Sequence, residues 1–169
     1  TPADNATAIA VGSNIVLSFS ESVDVESGNI LIKKTSDNSI VETIDVTSNQ
    51  VTGSGTNTIT INPSSNLQPL TDYYVQIAAT AFDDSAGNSY AGISDTTSLS
   101  FTTADIIAPI LDSSNPADNA TAVAADSNIV LSFSESVDVE SGNILIKKTS
   151  DNSTVETIDV TSNQVTGSG

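Results

Sequence analysis

"SNIVLSFSESVDVESGNILIKKT" occupies residues 13–35 and sets the reading of everything around it. Ile15, Leu17 and Phe19 fall at every second position of "NIVLSFS" (14–20), and Ile30 and Ile32 do the same in "NILIKKT" (29–35). A period of two puts such residues on one face of an extended strand, whereas a helix needs apolar residues three and four apart. Many of the side chains are β-branched or aromatic, which suits a pleated, half-buried surface. Between the two runs, "ESVDVESGN" brings Glu21, Asp24 and Glu26 together ahead of a glycine and reads as an acidic turn.

The same alternation recurs outward from this stretch. "IVETIDV" (40–46) sets Ile40, Glu42, Ile44 and Val46 against Val41, Thr43 and Asp45. "TNTITIN" (56–62) turns Ile59 and Ile61 inward, and "SLSFTT" (98–103) does so with Leu99 and Phe101. "DYYVQIAATAF" (72–82) reads as the longest strand, with Tyr73, Val75, Ile77 and Ala79 on the core side and Tyr74 outside as a cover. Polar pieces such as "TSDNS", "NPSSN" and "DDSAGN" separate the runs. About seven short strands punctuated by turns predict an all-β protein, an antiparallel β-sandwich. Lys33 and Lys34 read as charges on a solvated edge strand, where they block pairing with other chains.

Residues 1–55 return as residues 115–169, with Pro2 becoming Pro116 at an offset of 114. Only Thr1/Asn115, Ile9/Val123, Val11/Ala125, Gly12/Asp126 and Ile40/Thr154 differ. A period of this length is a whole domain rather than a solenoid unit. The expected organisation is one sandwich repeat over 1–105, lacking its leading strand, followed over 106–169 by the N-terminal half of the next repeat. Ile107, Ile110 and Leu111 are expected in the leading strand of that second copy, with Pro109 suited to an edge. The final "NQVTGSG" (163–169) also stands at 49–55, where it leads into "TNTITIN", so the chain reads as a window on a longer array.

Four Lys+Arg face 21 Asp+Glu, a formal net charge of −17. That balance opposes binding to phosphate backbones and to anionic lipid, and it attracts cations. Cys, Met, Trp and His are all absent, which removes nucleophile–His pairs, thiolate or imidazole metal sites and disulfides. No apolar run approaches the roughly 18 residues of a membrane-spanning helix, so no membrane insertion is expected in this segment.

Several pieces together resemble the bacterial Ig-like domains that stand in tandem in large surface adhesins and S-layer-type proteins. They are "PADNATAI" at the start, "IVLSFSESVD" in the second strand and "LQPLTDYYVQI" leading into a late strand, then "FDDSAGN" and finally "SFTTADIIAP" at the join. The resemblance covers essentially the whole chain. It implies an Ig-like sandwich used as a spacer in an extracellular bacterial protein, with neighbouring repeats as its partners.

Two acidic clusters are candidate calcium ligands, because calcium takes six to eight oxygens and favours carboxylates and backbone carbonyls. One holds Glu21 and Asp24; the other holds Asp83, Asp84 and Asn88, with Gly87 allowing a tight turn. In a sandwich both could lie at one end. Asp105, at the join, is a sixth candidate, for the same ion or for a separate one that stiffens the linker. Asp and Asn also favour turns for purely local reasons. Paired carboxylates can serve a glycosidase, but three Tyr and four Phe leave little surface to hold a sugar, so no enzymatic activity is expected. The function expected is a structural extender, a stalk segment with calcium as its one candidate cofactor. The alternative is a self-assembling filament in which a neighbouring molecule's strands complete the half-domain.

Overall fold

A computed structural model of the protein describes residues 1–169. The chain divides into two units, Thr1–Ile107 and Ala108–Gly169.

The first unit contains nine strands: β1 (Ala6–Ile9), β2 (Ile15–Val25), β3 (Asn29–Lys34), β4 (Ile40–Asp45), β5 (Val51–Thr52), β6 (Thr56–Ile61), β7 (Asp72–Ile77), β8 (Phe82–Asp83) and β9 (Ser100–Thr103). They form one five-stranded sheet in the order β1-β9-β7-β3-β4 and one four-stranded sheet in the order β5-β6-β2-β8. All pairings are antiparallel except β1 with β9, which run parallel. This is the all-β sandwich that the alternating pattern predicts. The inward residues build the core: Ile15, Ile59 and Ile61 from one sheet, and Ile30, Ile32, Ile44 and Val75 from the other, are each at most 1% exposed. Register ties the halves together, with Ile15 opposite Ile61, Leu17 opposite Ile59, Ile30 opposite Ile77 and Ile32 opposite Val75.

Four local expectations need correction. The segment 72–82 is not one strand: β7 ends at Ile77, a turn closes from Ala81 N–H to the Ala78 carbonyl, and the chain then crosses to the other sheet as β8. Phe82 drives the crossing, because it is fully buried beside Val25 and makes an edge contact with Phe19 at 5.5 Å. The longest strand is instead β2, which runs through the supposed acidic turn to Val25, with a register shift between Ser18 and Val23. Tyr74 is as buried as Tyr73. Its hydroxyl donates to Asn38 Oδ1 at 2.9 Å, and the Lys33 ammonium lies 5.4 Å from its ring centre. The lysines do not mark an edge either, since β3 lies between β7 and β4. Lys33 and Lys34 are half-buried, and Lys34 Nζ donates to Gln68 Oε1 at 2.8 Å.

The second unit holds β10 (Leu111–Asn115), β11 (Val130–Phe133), β12 (Asn143–Lys147) and β13 (Thr154–Asp159) as two separate hairpins, β10-β11 and β12-β13. The leading strand thus begins at Leu111, and Ile107 and Ile110 precede it. The β12-β13 pairing repeats β3-β4 residue for residue, from Asn143 opposite Asp159 to Lys147 opposite Thr154. Local pairing is therefore written into the early sequence itself. Burial is not: no residue from 108 to 169 is buried, and Ile129, equivalent to Ile15, is 54% exposed.

Candidate functional site

Two of the candidate carboxylates, Asp24 and Asp83, meet where β2 ends. The pairing of β2 with β8 sets Asp24 directly opposite Asp83, and Val25 opposite Phe82. The Gly-rich turn between β5 and β6 closes over the same place: Val25 N–H donates to Ser54 Oγ at 3.0 Å, and Gly55 N–H donates to the Val23 carbonyl at 2.9 Å. Ser54 Oγ itself lies 3.5 Å from Asp24 Oδ1. Two like charges directly across a strand pair repel.

Asp84, one residue on, does different work. Its carboxylate accepts from Ala86 N–H at 2.9 Å, Asn88 N–H at 2.8 Å and the Asn88 side-chain amide at 2.7 Å. These bonds, that of the Asn88 side chain first, hold its carboxyl below the usual range. Asp84 and Asn88 thus knit the 84–88 loop to itself, with Gly87 in the left-handed region at φ 83°. Asp105 likewise accepts from Ile107 N–H at 2.9 Å. Glu21 and Glu26 are exposed, Glu21 within β2 and Glu26 just beyond its end. The structure therefore brings Asp24 and Asp83 together as direct opposites. Nowhere do three or more Asp or Glu side chains converge as a metal-holding group.

Three other carboxylates organise the fold. Asp4 accepts from the Ser100 N–H at 3.0 Å and its hydroxyl at 2.9 Å, joining the first turn to the last strand. Glu42 accepts from Ser64 N–H at 3.0 Å and from the Gln50 amide at 2.8 Å, linking β4 to the far sheet's loops. Asp95 accepts from the Ser98 hydroxyl and the N–H groups of Thr97 and Ser98, each within 2.8 Å, and these bonds hold its carboxyl down at about 2. The signal for Asp95 was legible in "SDTTS", because an aspartate two and three residues ahead of Thr and Ser favours this self-bonded turn. Asp4 and Glu42 had no turn signal of this kind, since Ser100 lies 96 residues from Asp4, and Gln50 and Ser64 lie 8 and 22 residues from Glu42.

Two shallow depressions mark the surface of the first unit. One is formed by Val11, Gly12 and the 62–66 loop, the other by Leu31, Gln76 and Ile93 with their neighbours, and neither is lined by an ionisable side chain. No helix is long and apolar enough to cross a membrane. Comparison with curated proteins and with solved structures returned no match. Among family models, the bacterial Ig-like domain matches residues 1–103 and 105–166. Both matched segments carry the early-strand sequence whose pairing was described above, and together they take in nearly the whole chain, which therefore belongs to the bacterial Ig-like domain family.

Proposed function

We propose that this chain is a non-catalytic extender segment of an extracellular bacterial surface protein, in which tandem sandwiches project a distal binding region away from the cell. The observation that carries the reading is the near-identical repetition of 1–55 as 115–169 after the short join at 104–110. A module repeated with so few changes is suited to setting a length, because adding copies adds reach without new chemistry. The formal charge of −17 supports it, since acidic neighbours repel and stay separate. Small-angle scattering on chains with increasing numbers of repeats tests it. The maximum dimension should rise by a constant increment per repeat; a compact particle whose dimension grows only as the cube root of mass would refute the extender reading.

Calcium belongs to this proposal at one place, the Asp24–Asp83 pair. A divalent cation between them would turn cross-strand repulsion into attraction, pinning the far end of β2 to β8. With two carboxylates and otherwise weak oxygens, such a site belongs with extracellular modules that bind in the range of about 10⁻⁴–10⁻³ M. Millimolar calcium should raise the melting temperature, EDTA should reverse the gain, and Asp24→Asn with Asp83→Asn should abolish the response. A melting temperature indifferent to calcium removes the ion from the mechanism.

A further inference from the structure

β4 is the last strand of the sheet ordered β1-β9-β7-β3-β4, and no strand pairs with its outer side. At six residues it is the longest edge strand of the first unit; β1 has four, and β5 and β8 have two each. It carries no Lys or Pro, the residues that commonly blunt an edge. Ile40 and Val41 are 57% and 42% exposed, and Thr43 and Asp45 are exposed as well. Chain on the N-terminal side of the early sequence does not cover this edge. Where the structure shows that segment, as β10, it pairs with β11, the counterpart of β2 and not of β4.

The backbone groups on the free side can be named. In an antiparallel pair, successive residues turn their N–H and carbonyl groups to alternate sides. Val46 N–H donates to the Gly28 carbonyl, so Ile44 and Glu42, two and four residues back, face β3 through Ile30 and Ile32. Asn29, opposite Asp45, is turned the other way, since its carbonyl accepts from Ala78 N–H. Thr43 and Asp45 therefore point their backbone groups outward, with Val41 beyond them at the bulge where the register shifts.

We propose that β4 is a homotypic docking edge, which pairs antiparallel with β4 of a second copy of this chain about a two-fold axis through Thr43. The two five-stranded sheets then continue as one.

Self-complementarity selects both the occupant and the register. With Thr43 on the axis, the outward residues 41, 43 and 45 map onto one another, as an isologous contact requires. Thr43 meets Thr43, a favourable cross-strand pair, and Asp45 meets Val41, so no like charges stand directly opposite. Glu42 meets Ile44, and its carboxylate is already occupied by Ser64 N–H and the Gln50 amide. Centring the axis on Glu42 instead would set that glutamate against itself. Centring it on Ile44 would ask Val41 to pair with Thr47, whose N–H is held by Asp45 Oδ1 at 2.8 Å.

The contact is short, and both partners are acidic. A net charge of −17 repels the second copy. The range of that repulsion falls from about 30 Å at 0.01 M salt to about 8 Å at 0.15 M. Pairing through backbone groups, Thr43 and Val41 is thus suppressed in dilute salt and released as salt rises. This goes beyond the extender reading, because the charge that separates neighbours becomes a threshold rather than a bar. "VETID" recurs unchanged at 155–159, so each copy of the early sequence brings the same edge, and contacts weak one by one add through tethering.

Cysteine pairing tests this in the full chain, which has no cysteine of its own. Residues opposite each other in a hydrogen-bonded pair lie about 5.5 Å apart at Cα, within disulfide reach. Two copies of residue 41 in the same register lie roughly 13 Å apart along the strands, beyond it. Thr43→Cys should therefore oxidise to a covalent dimer severalfold faster than Val41→Cys or Asp45→Cys alone. Mixing Val41→Cys with Asp45→Cys should yield the mixed dimer at a rate like that of Thr43→Cys. Equal rates for all three single variants, or no preference for the mixed dimer, overturn the proposal. Sedimentation velocity gives a second reading without a cross-link. The dimer fraction of the unsubstituted chain should rise severalfold between about 0.01 M and about 0.15 M salt. Thr43→Pro, which removes only an outward N–H, should abolish that dimer while the chain keeps its cooperative thermal transition. A dimer fraction that falls with salt, or one that a folded Thr43→Pro chain retains, also overturns it.

Discussion

Gly53 and Gly167 are the same glycine of the same heptapeptide, and both hold positive φ, 101° and 93°. Their surroundings separate them. A Cβ on Gly53 would stand 2.1 Å from the Thr58 carbonyl oxygen, a backbone atom of the facing strand that cannot yield, whereas nothing lies within 4 Å of a Cβ on Gly167. Gly53→Ala therefore adds a clash to the backbone strain that any L-residue meets at this φ. It should destabilise the first unit by more than about 1 kcal/mol in denaturant unfolding. Gly167→Ala carries the strain without the clash and should leave the unfolding midpoint of the first unit where it is. An equal loss from both would mean that the turn's φ alone, and not the approach of β6, makes glycine necessary at position 53.

At the scale of the element, β2 and β11 show what one strand sequence becomes with and without its neighbours. "NIVLSFSESVDV" is an eleven-residue strand from Ile15 where β6 and β8 flank it, and four residues, Val130–Phe133, where only β10 does. Extended conformation here is maintained by pairing and burial more than by propensity. Ile15→Ala should accordingly cost about 2–5 kcal/mol, the range for emptying a packed core site. Ile129→Ala, at a site 54% exposed, should stay within about 0.5 kcal/mol. Denaturant titration of the two variants checks the contrast, and matching losses would contradict it. This dependence also explains what was legible beforehand. The inward faces of β2, β3 and β6 were readable because a period of two needs no knowledge of partners. The continuation of β2 through Glu21 and Asp24 was not, since polar residues look like a turn until β8 is known to lie beside them. Phe82 looked like the end of β7 because its destination, the opposite sheet, depends on contacts more than 50 residues distant in sequence, with Val25. Of the candidate site, the meeting of Asp24 with Asp83 followed from both lying near one end of the sandwich. That Asp84 would accept hydrogen bonds from Ala86 and Asn88 of its own loop was not marked out among its acidic neighbours.

For the whole molecule, the unequal burial of two near-identical stretches has a direct chemical readout. Trypsin cuts only after Lys or Arg, and the four basic residues of the chain are Lys33, Lys34, Lys147 and Lys148. The two pairs sit in the same local sequence, so any difference in cleavage reports structure rather than subsite preference. Lys33 and Lys34 are half-buried on β3, which is hydrogen-bonded on both sides, and they are held by Tyr74 and Gln68. Lys147 and Lys148 are exposed at the end of a two-stranded hairpin with no third strand. Cleavage under mild conditions follows the population of locally opened chain, and a lone hairpin opens far more readily than the middle of a five-stranded sheet. Limited trypsin digestion should therefore break the chain first after Lys147 and Lys148, leaving a persistent fragment that begins at Thr1. Cleavage after Lys33 and Lys34 should lag well behind it. If the two lysine pairs are cut at equal rates, the second unit is not as open as the exposure of Ile129 describes.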